Sequence, residues 1–264
     1  MRNSIILALF AGLTVVGCDE DDKDSGAEEV VDDTDTDVDA EPASISVVHL
    51  SPDAPAVDIF AGAAGAADLP TDALFEGAVF GDGTEFASVD AASYDIFIAG
   101  SGSPASDAVS TVTALSLDSN INYTAVAYGY LSDVDGTGND FAVAALADDL
   151  SAPEAGKFRV QVLHAAADPA FAQVDVWDVS GEPAPLIPDF DYASDAVVAE
   201  LDAGDYTLCL DANDDQACDA TFALGELPEG AIINLIAAND ADGVPFLFAQ
   251  FSDGANLKID PVSE

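Results

Sequence analysis

The amino-acid sequence predicts an all-β protein whose main body is two tandem antiparallel β-sandwich domains of immunoglobulin-like size. Three observations support this fold class. Apolar and polar residues alternate with period two over short runs, which is typical of half-buried strands. Clusters of glycine, proline and aspartate interrupt these runs about every ten residues, the turn spacing of a sandwich. The same series of motifs then occurs a second time further along the chain.

The composition excludes several classes of function. The 264 residues include 51 Asp and Glu against 5 Lys and Arg, for a formal net charge of -46. A chain with so few basic residues cannot neutralise phosphates, so we expect no nucleic-acid partner. With two histidines and three cysteines, we also expect no cofactor and no metal site built from several such ligands.

Residues 1–17 have the features of a lipoprotein signal peptide. Arg2 precedes an apolar run over residues 5–16, which is too short to span a bilayer as a mature helix. The run ends in Val16-Gly17-Cys18, which resembles the bacterial lipobox, where cleavage before the cysteine exposes a thiol that carries lipid. Lipoproteins of this type carry more than one acyl chain, which suffices for stable anchoring. The alternative is an ordinary secretory signal with a chance cysteine.

Residues 18–42 are predicted to be a disordered, extended linker after the lipid anchor. Thirteen of the residues from 19 to 41 are acidic, and only Lys23 opposes them. The linker is either a spacer or a sorting signal. Asp19 after Cys18 resembles an inner-membrane retention signal, whereas the acidic run resembles a surface-export signal. We expect a lipid-anchored protein of the bacterial envelope, at the outer membrane or cell surface rather than the inner membrane.

The body of the chain contains two copies of one pattern, which we assign to domains 43–150 and 156–264. Residues 47–60 read VVHLSPDAPAVDIF, and residues 162–177 read VLHAAADPAFAQVDVW. Each copy has a strand, a histidine, an aspartate four residues later, a proline and a second strand of the form Val-Asp-apolar-aromatic. A further match aligns Tyr94 with Tyr206, and the absence of βαβ alternation excludes Rossmann and TIM-barrel folds.

The run HLSPDAPAVD at residues 49–58 resembles the signature of a bacterial family catalogued as domain of unknown function 4397. Members of that family are often lipoproteins or secreted proteins with one or more copies of the domain. The second copy departs from the signature, because Ala166 and Ala167 replace Ser51 and Pro52. The resemblance covers residues 44–262. It implies a β-sandwich fold and brings no established activity or catalytic residues.

The two histidines are predicted to form structural pairs, His49 with Asp53 and His164 with Asp168. Each histidine shares strand parity with apolar residues, so its ring should point inward, and a buried imidazole needs partners for its nitrogens. The alternative is that the pair is half of an acid–base or nucleophile-activating arrangement. The sequence contains no G-x-S-x-G, S-x-x-K or H-E-x-x-H motif.

The remaining cysteines, Cys209 and Cys218, are predicted to form a disulfide. Exported proteins fold in oxidising surroundings, and an even number of cysteines outside the lipobox indicates that they are paired. A redox-active pair is the alternative, although such pairs usually have C-x-x-C spacing. One feature conflicts with the pairing. Cys209 lies on the face opposite Leu208 and Leu210, whereas Cys218 shares strand parity with Phe222. A bulge or a wide loop must therefore bring the sulfurs together.

Acidic loops offer the oxygen ligands that Ca²⁺ takes. The weak candidates are Asp133, Asp135, Asp140, Asp211, Asn213 and Asp215. The loop that contains Asp211, Asn213 and Asp215 copies the opening of an EF-hand. It departs from that motif further on, because Gln216 stands where glycine belongs and Phe222 where a bidentate glutamate belongs. The competing explanation is that an aspartate-rich surface keeps the protein soluble through its net charge.

The sequence thus favours a non-enzymatic binding, adhesion or scaffolding module with an unknown protein or polysaccharide partner. Tyr128, Tyr130 and Trp177 either pack in the sandwich or form a carbohydrate- or peptide-stacking patch. The rival hypothesis is a hydrolase that acts on envelope or extracellular polymers. A cleft joining a histidine, its aspartate and a nucleophilic hydroxyl would favour the enzyme.

Overall fold

The computed structural model describes residues 41–132 and 139–262. Cys18, the signal peptide and nearly all of the linker lie outside these ranges. The described residues form seventeen β-strands, two 3₁₀-helices (Ala105–Asp107 and Pro169–Phe171) and no α-helix. No helix in this part of the chain is long and apolar enough to cross a membrane.

The strands divide into two sets of similar length. Those of the first half are β1 (Ala43–His49), β2 (Val57–Ala63), β3 (Phe75–Ala78), β4 (Ala87–Val89), β5 (Ser93–Gly100), β6 (Ser110–Ser116), β7 (Asn122–Tyr128) and β8 (Ala142–Asp148). Those of the second half are β9 (Lys157–His164), β10 (Gln173–Asp178), β11 (Ala184–Asp191), β12 (Val197–Asp202), β13 (Gly204–Asp211), β14 (Ala220–Leu227), β15 (Ile232–Asn239), β16 (Pro245–Phe251) and β17 (Asn256–Ile259).

Each half is a sandwich of two sheets with the same strand order. The first half has the orders β4-β1-β7-β8 and β3-β2-β5-β6. The second half repeats them eight strands later, as β12-β9-β15-β16-β17 and β11-β10-β13-β14, with β17 added at one edge. The predicted all-β sandwich fold is therefore confirmed, and the repetition seen in the sequence extends to the topology.

One strand pair in each half is parallel, although the sequence predicted antiparallel sheets. Strand β1 pairs with β7 in parallel, with His49 opposite Ala127. Strand β9 pairs with β15 in the same way, with His164 opposite Ala237. Parallel strands are usually buried on both faces, and β1, β7 and β15 are buried along nearly their whole length.

The two sandwiches pack against each other through the sheets that contain these parallel pairs. Adjacent residues of β1 therefore belong to different cores. Val47 packs inside the first sandwich, whereas Val48 packs in a cluster shared by both halves. From the second half this cluster includes Leu163, Ile236 and Phe248. The described residues, 41–132 and 139–262, accordingly form one compact unit.

A buried hydrogen-bonded chain of polar side chains crosses the same interface. The Thr124 hydroxyl donates to Gln250 Oε1 at 2.6 Å, and Gln250 Nε2 donates to Ser46 Oγ at 3.1 Å. Asn234 Nδ2 donates to Thr124 Oγ1 at 3.2 Å and to Asp148 Oδ1 at 2.8 Å. Because satisfied polar groups have directional partners, this network fixes the register between the two sandwiches.

Arg159 holds the connection between the sandwiches in place. This residue on β9 is buried, and its guanidinium donates to the carbonyl oxygens of Asp149 and Ser151 at 2.6 and 2.8 Å. It also donates to Glu200 Oε1 at 2.7 Å. A guanidinium presents several donors in a fixed geometry, so one side chain ties the connecting segment to both β9 and β12.

Candidate functional site

Both histidine rings are buried, as the strand parity predicted, but neither ring forms its hydrogen bonds with the predicted aspartate. His49 and His164 are 0% and 1% exposed. The Nε2–H of His49 donates to the Pro55 carbonyl at 3.1 Å, and Ser51 N–H donates to His49 Nδ1 at 3.3 Å. His164 Nε2–H donates to the Phe171 carbonyl at 2.7 Å. The prediction of His–Asp pairs is therefore wrong.

The two aspartates serve other backbone groups. Asp53 accepts hydrogen bonds from the N–H groups of Leu131 and Ser132 at 2.7 and 3.0 Å, and from the Ser132 hydroxyl. Asp168 caps the 3₁₀-helix by accepting from Ala170 N–H at 2.8 Å, and it lies against Gly243, where a Cβ would collide with its carboxylate. The turn directs a carbonyl, not a carboxylate, towards each ring.

These surroundings make both histidines poor acid–base groups at neutral pH. Burial lowers the pKa of His49, and the hydrogen bond with Pro55 opposes this only in part. Burial likewise lowers the pKa of His164, against the effects of the Phe171 carbonyl and Asp191. Each ring is thus held neutral and out of contact with solvent, which is the environment of a structural side chain.

The aspartate of the repeated Val-Asp-apolar-aromatic motif has a structural role that the sequence analysis did not assign. Asp58 is 7% exposed, and its carboxylate accepts from Gly77 N–H at 2.6 Å and Gly102 N–H at 2.7 Å. It thereby joins β2 to β3 and to the loop after β5. In the second copy, Asp175 accepts from Asp189 N–H at 2.7 Å. The recurrence of this aspartate in both copies is the signal that could have revealed it.

The predicted disulfide between Cys209 and Cys218 is confirmed. The sulfurs are bonded at 2.07 Å, with the Cα atoms 5.3 Å apart. Leu208 and Leu210 point into the second core, whereas Cys209 pairs with Trp177 across β10 on the other face of the sheet. The loop between β13 and β14 brings Cys218 to that face, which resolves the difference in strand parity.

Loss of this disulfide is expected to lower the free energy of unfolding by about 2.5 to 3 kcal/mol, because the bond closes a short loop in the unfolded chain. The test is urea denaturation of the oxidised protein and of the Cys209→Ala/Cys218→Ala double variant, followed by the fluorescence of Trp177. Equal free energies of unfolding would show that the bond contributes no stability.

The acidic loop after β13 turns its oxygens towards its own backbone. Asp211 accepts from Asn213 N–H at 3.2 Å and from Gln216 N–H at 2.8 Å, and Asn213 Oδ1 accepts from Asp215 N–H at 3.1 Å. Asp133 and Asp135 lie outside the described residues, and Asp140 is exposed. Across residues 41–132 and 139–262, no group of three or more His, Cys, Asp or Glu side chains has a geometry suited to a metal ion.

The tyrosines that the sequence offered as a stacking patch do not form an exposed surface. Tyr128 is 7% exposed and packs in the interface between the sandwiches. The Tyr130 hydroxyl accepts a hydrogen bond from Asn239 Nδ2 at 3.0 Å. The packing role is therefore the one that the structure supports for Tyr128.

The second sandwich contains an apolar cleft between its two sheets. The cleft has a volume of about 110 Å³ and draws its lining from all nine strands of this half. Its lining side chains in the described structure carry no charge, and the single polar group is a tyrosine hydroxyl. Ala249 lies in the deep part, Ala199 on β12 is half-buried, and Leu257 on β17 is 53% exposed. The cleft therefore opens to the surface.

An aromatic pair fixes one wall of the cleft. The rings of Phe158 and Tyr206 meet edge to face with centroids 5.4 Å apart. The Tyr206 hydroxyl donates to the Asp202 carbonyl at 2.8 Å. Burial, together with the carboxylates of Asp178 and Asp202, raises the pKa of Tyr206. The phenol is thus neutral, and the cleft offers no charged group to a ligand.

The corresponding gap of the first sandwich is filled, although the strand order is the same. Tyr94, the counterpart of Tyr206, also donates its hydroxyl to a carbonyl four residues earlier, that of Asp90, at 3.0 Å. The gap beside it, between Ile45, Ala61 and Ile96, has no room for a water molecule. The cleft therefore does not follow from the strand order alone. Sequence reasoning missed it because its lining residues are scattered among ordinary core positions.

Comparison with known proteins agrees with the motif resemblance. The model of the family described as domain of unknown function (DUF4397) matches residues 43–177. The match covers the first sandwich and continues through β9 and β10 of the second. No curated protein matches the chain. Because the family match covers more than half of its residues, the chain belongs to the domain of unknown function (DUF4397) family.

Proposed function

We propose that this chain is a non-catalytic binding module of the bacterial envelope, and that its ligand binds in the cleft of the second sandwich. The observation that carries the proposal is the apolar cleft itself. Ligand sites are concave and mostly apolar, and a well-packed sandwich normally fills its interior to the density of an organic crystal. An opening lined by aliphatic side chains in one copy, where the corresponding gap of the other copy is filled, fits a site for a ligand.

The hydrolase alternative finds no support in the described residues. General acid–base catalysis needs a group within hydrogen-bond reach of the substrate. The rings of His49 and His164 are buried and already donate to backbone carbonyls. The Ser51 hydroxyl is also buried, with 0% exposure of the residue. We therefore assign these groups to folding and not to chemistry.

The proposal includes two copies of the family domain, at residues 43–150 and 156–264. The identical strand order of the two halves supports this division. So do the paired tyrosine hydroxyls of Tyr94 and Tyr206, each of which donates four residues back along its own copy. The short connection between the copies is the segment held by Arg159.

The proposal places the module on a lipid attached to Cys18, with residues 18–42 as a spacer. At about 3.3 Å per residue, the spacer reaches roughly 80 Å at full extension. A protein or polysaccharide partner for the acidic outer surface remains part of this proposal, alongside the ligand of the cleft. The favoured location is the outer membrane or the cell surface.

Replacement of Cys18 by serine is expected to abolish lipid labelling and to release the protein from the membrane fraction, because the thiol is the predicted site of acylation. The measurement is incorporation of labelled fatty acid in growing cells, with fractionation after a salt wash. Cys209→Ser is the control and should keep both label and membrane association. A labelled Cys18→Ser protein would contradict the lipid anchor.

Binding in the cleft is tested with xenon, an uncharged probe that enters small apolar cavities, and is followed by methyl NMR. The protein is the chain from residue 18 onward with Cys18→Ser, which needs no detergent. We expect saturable shifts of the lining methyl groups with wild-type cleft residues and at least tenfold weaker xenon binding for Ala199→Phe, which fills the cleft. Val198→Phe is the matched control, since Val198 is the 57% exposed neighbour of Ala199 and lies outside the lining. Equal xenon binding by both variants would contradict the assigned site.

A further inference from the structure

We infer that the ligand of the cleft is an uncharged compound with a single unbranched alkyl chain, such as an alcohol or an ester. This inference rests on the proposed binding function and specifies the chemistry of its ligand. It is carried by the shape of the cleft, by its lining and by the charge around its opening.

The shape favours a linear chain over a compact ring system. The lining extends from Ile187 on β11 and Val197 on β12 to Leu224 on β14 and Ile259 on β17, which are the edge strands of both sheets. Strands lie about 4.8 Å apart, so the cleft crosses roughly 15 to 19 Å of sheet. A volume of only about 110 Å³ spread over this width describes a narrow slot.

The volume agrees with a single slim chain. An apolar cavity of about 150 Å³ binds benzene or xenon, and the cleft of about 110 Å³ is smaller than that. It therefore has room for one alkyl chain and not for a fused ring system.

The lining excludes a charged group inside the slot. The Tyr206 hydroxyl already donates to a backbone carbonyl, and the other lining residues are hydrocarbon or aromatic. An ion placed there would lose its hydration without gaining a partner. The head group of the ligand must therefore stay at the opening, near the exposed Leu257.

The charge around the opening disfavours an anionic head group. The chain has a formal net charge of -46. The nearby cations are already paired, Lys157 with Asp202 at 3.2 Å and Lys258 with Asp260 at 2.5 Å. A fatty acid would bring its carboxylate into this negative field, whereas an alcohol or ester meets no such repulsion.

The test is direct titration with a series of 1-alkanols from hexanol to dodecanol, followed by methyl NMR, with decanoate as the charged comparison. Burial of each methylene strengthens binding by about fourfold. We therefore expect affinity to rise about fourfold per carbon until the chain fills the slot and then to level off. Decanoate should bind at least tenfold more weakly than decanol, and the difference should shrink at high salt.

The outcomes separate this inference from the proposed function. Xenon binding that is lost in Ala199→Phe, with no binding of any alkanol by the wild-type protein, would leave the binding site in place and overturn the alkyl ligand. Equal affinities for decanol and decanoate would overturn the uncharged head group. If Ala199→Phe unfolds, Leu257→Trp at the exposed opening provides a second block. A dimer in sedimentation velocity that either variant dissociates would show that a second copy fills the cleft, and would also overturn the inference.

Discussion

Replacement of Asp58 by alanine is expected to lower the free energy of unfolding by about 3 to 5 kcal/mol, measured by urea denaturation. The substitution leaves the N–H groups of Gly77 and Gly102 without their acceptor, and each unsatisfied buried group costs about 1 to 3 kcal/mol. Asp175→Ala is the matched control from the second copy. Its carboxylate accepts from Asp189 N–H, so we expect a loss of about 1 to 2 kcal/mol. Equal losses at the two positions would contradict the account.

The contribution of Asp58 should also depend on pH. Burial raises the pKa of this carboxyl, but the hydrogen bonds from Gly102, Gly77 and Ser101 outweigh burial and lower the pKa below its usual value. As the pH falls, Asp58 is therefore protonated in the unfolded state before it is protonated in the folded state. The stability that this carboxylate contributes is present at neutral pH and is lost as the pH falls through the lowered pKa. The difference between wild type and Asp58→Asn should shrink between pH 5 and pH 2. A constant difference would show that ionisation plays no part.

His49→Ala and His164→Ala are each expected to lower the free energy of unfolding by about 2 to 4 kcal/mol, because each leaves a void and a backbone carbonyl without its donor. The carbonyl oxygen of Pro55 loses the Nε2–H of His49, and the carbonyl oxygen of Phe171 loses that of His164. Thermal and urea unfolding measure the effect. Unchanged midpoints in both variants would argue against a structural role and revive the catalytic hypothesis.

The pH profile gives an independent check on the histidines. Burial lowers the pKa of both rings from 6.5. Below that pH the unfolded chain binds protons that the folded state does not, so stability is lost as the pH falls from about 6.5 through the lowered values. In His49→Phe this part of the profile should flatten. Asp53→Ala should leave the NMR titration of the His49 ring unchanged, since the carboxylate contacts Leu131 and Ser132 instead.

The sequence predicted the fold class and the burial of the histidines because both depend on local alternation. His49 shares parity with Ile45 and Val47, and all three are buried. The same alternation misplaced the other face of β1. Ser46 and Val48 are also fully buried, because the second sandwich covers that face. Packing between the copies joins residues that are far apart in the sequence, so the local alternation of apolar and polar residues does not predict it.

The histidine partners were mispredicted for a related reason. The spacing of four residues between His49 and Asp53 sets the length of the turn but not the direction of the carboxylate. In the structure the turn delivers the Pro55 carbonyl to the ring, and Asp53 faces Ser132. The cleft had no local signal at all, since Val176, Leu186 and Leu257 lie on three strands that only the sandwich brings together.

The most direct test of the account is methyl NMR of the chain from residue 18 onward, carrying Cys18→Ser, titrated with 1-decanol. We expect saturable shifts in the methyl groups of the second sandwich that line the cleft, such as Val160, Leu235 and Ala249. The methyl groups of Ile45 and Ile96, beside the filled gap of the first sandwich, should not shift. Shifts spread equally over both sandwiches would contradict the claim that the second copy is the binding site, and the absence of any shift would overturn the alkyl ligand.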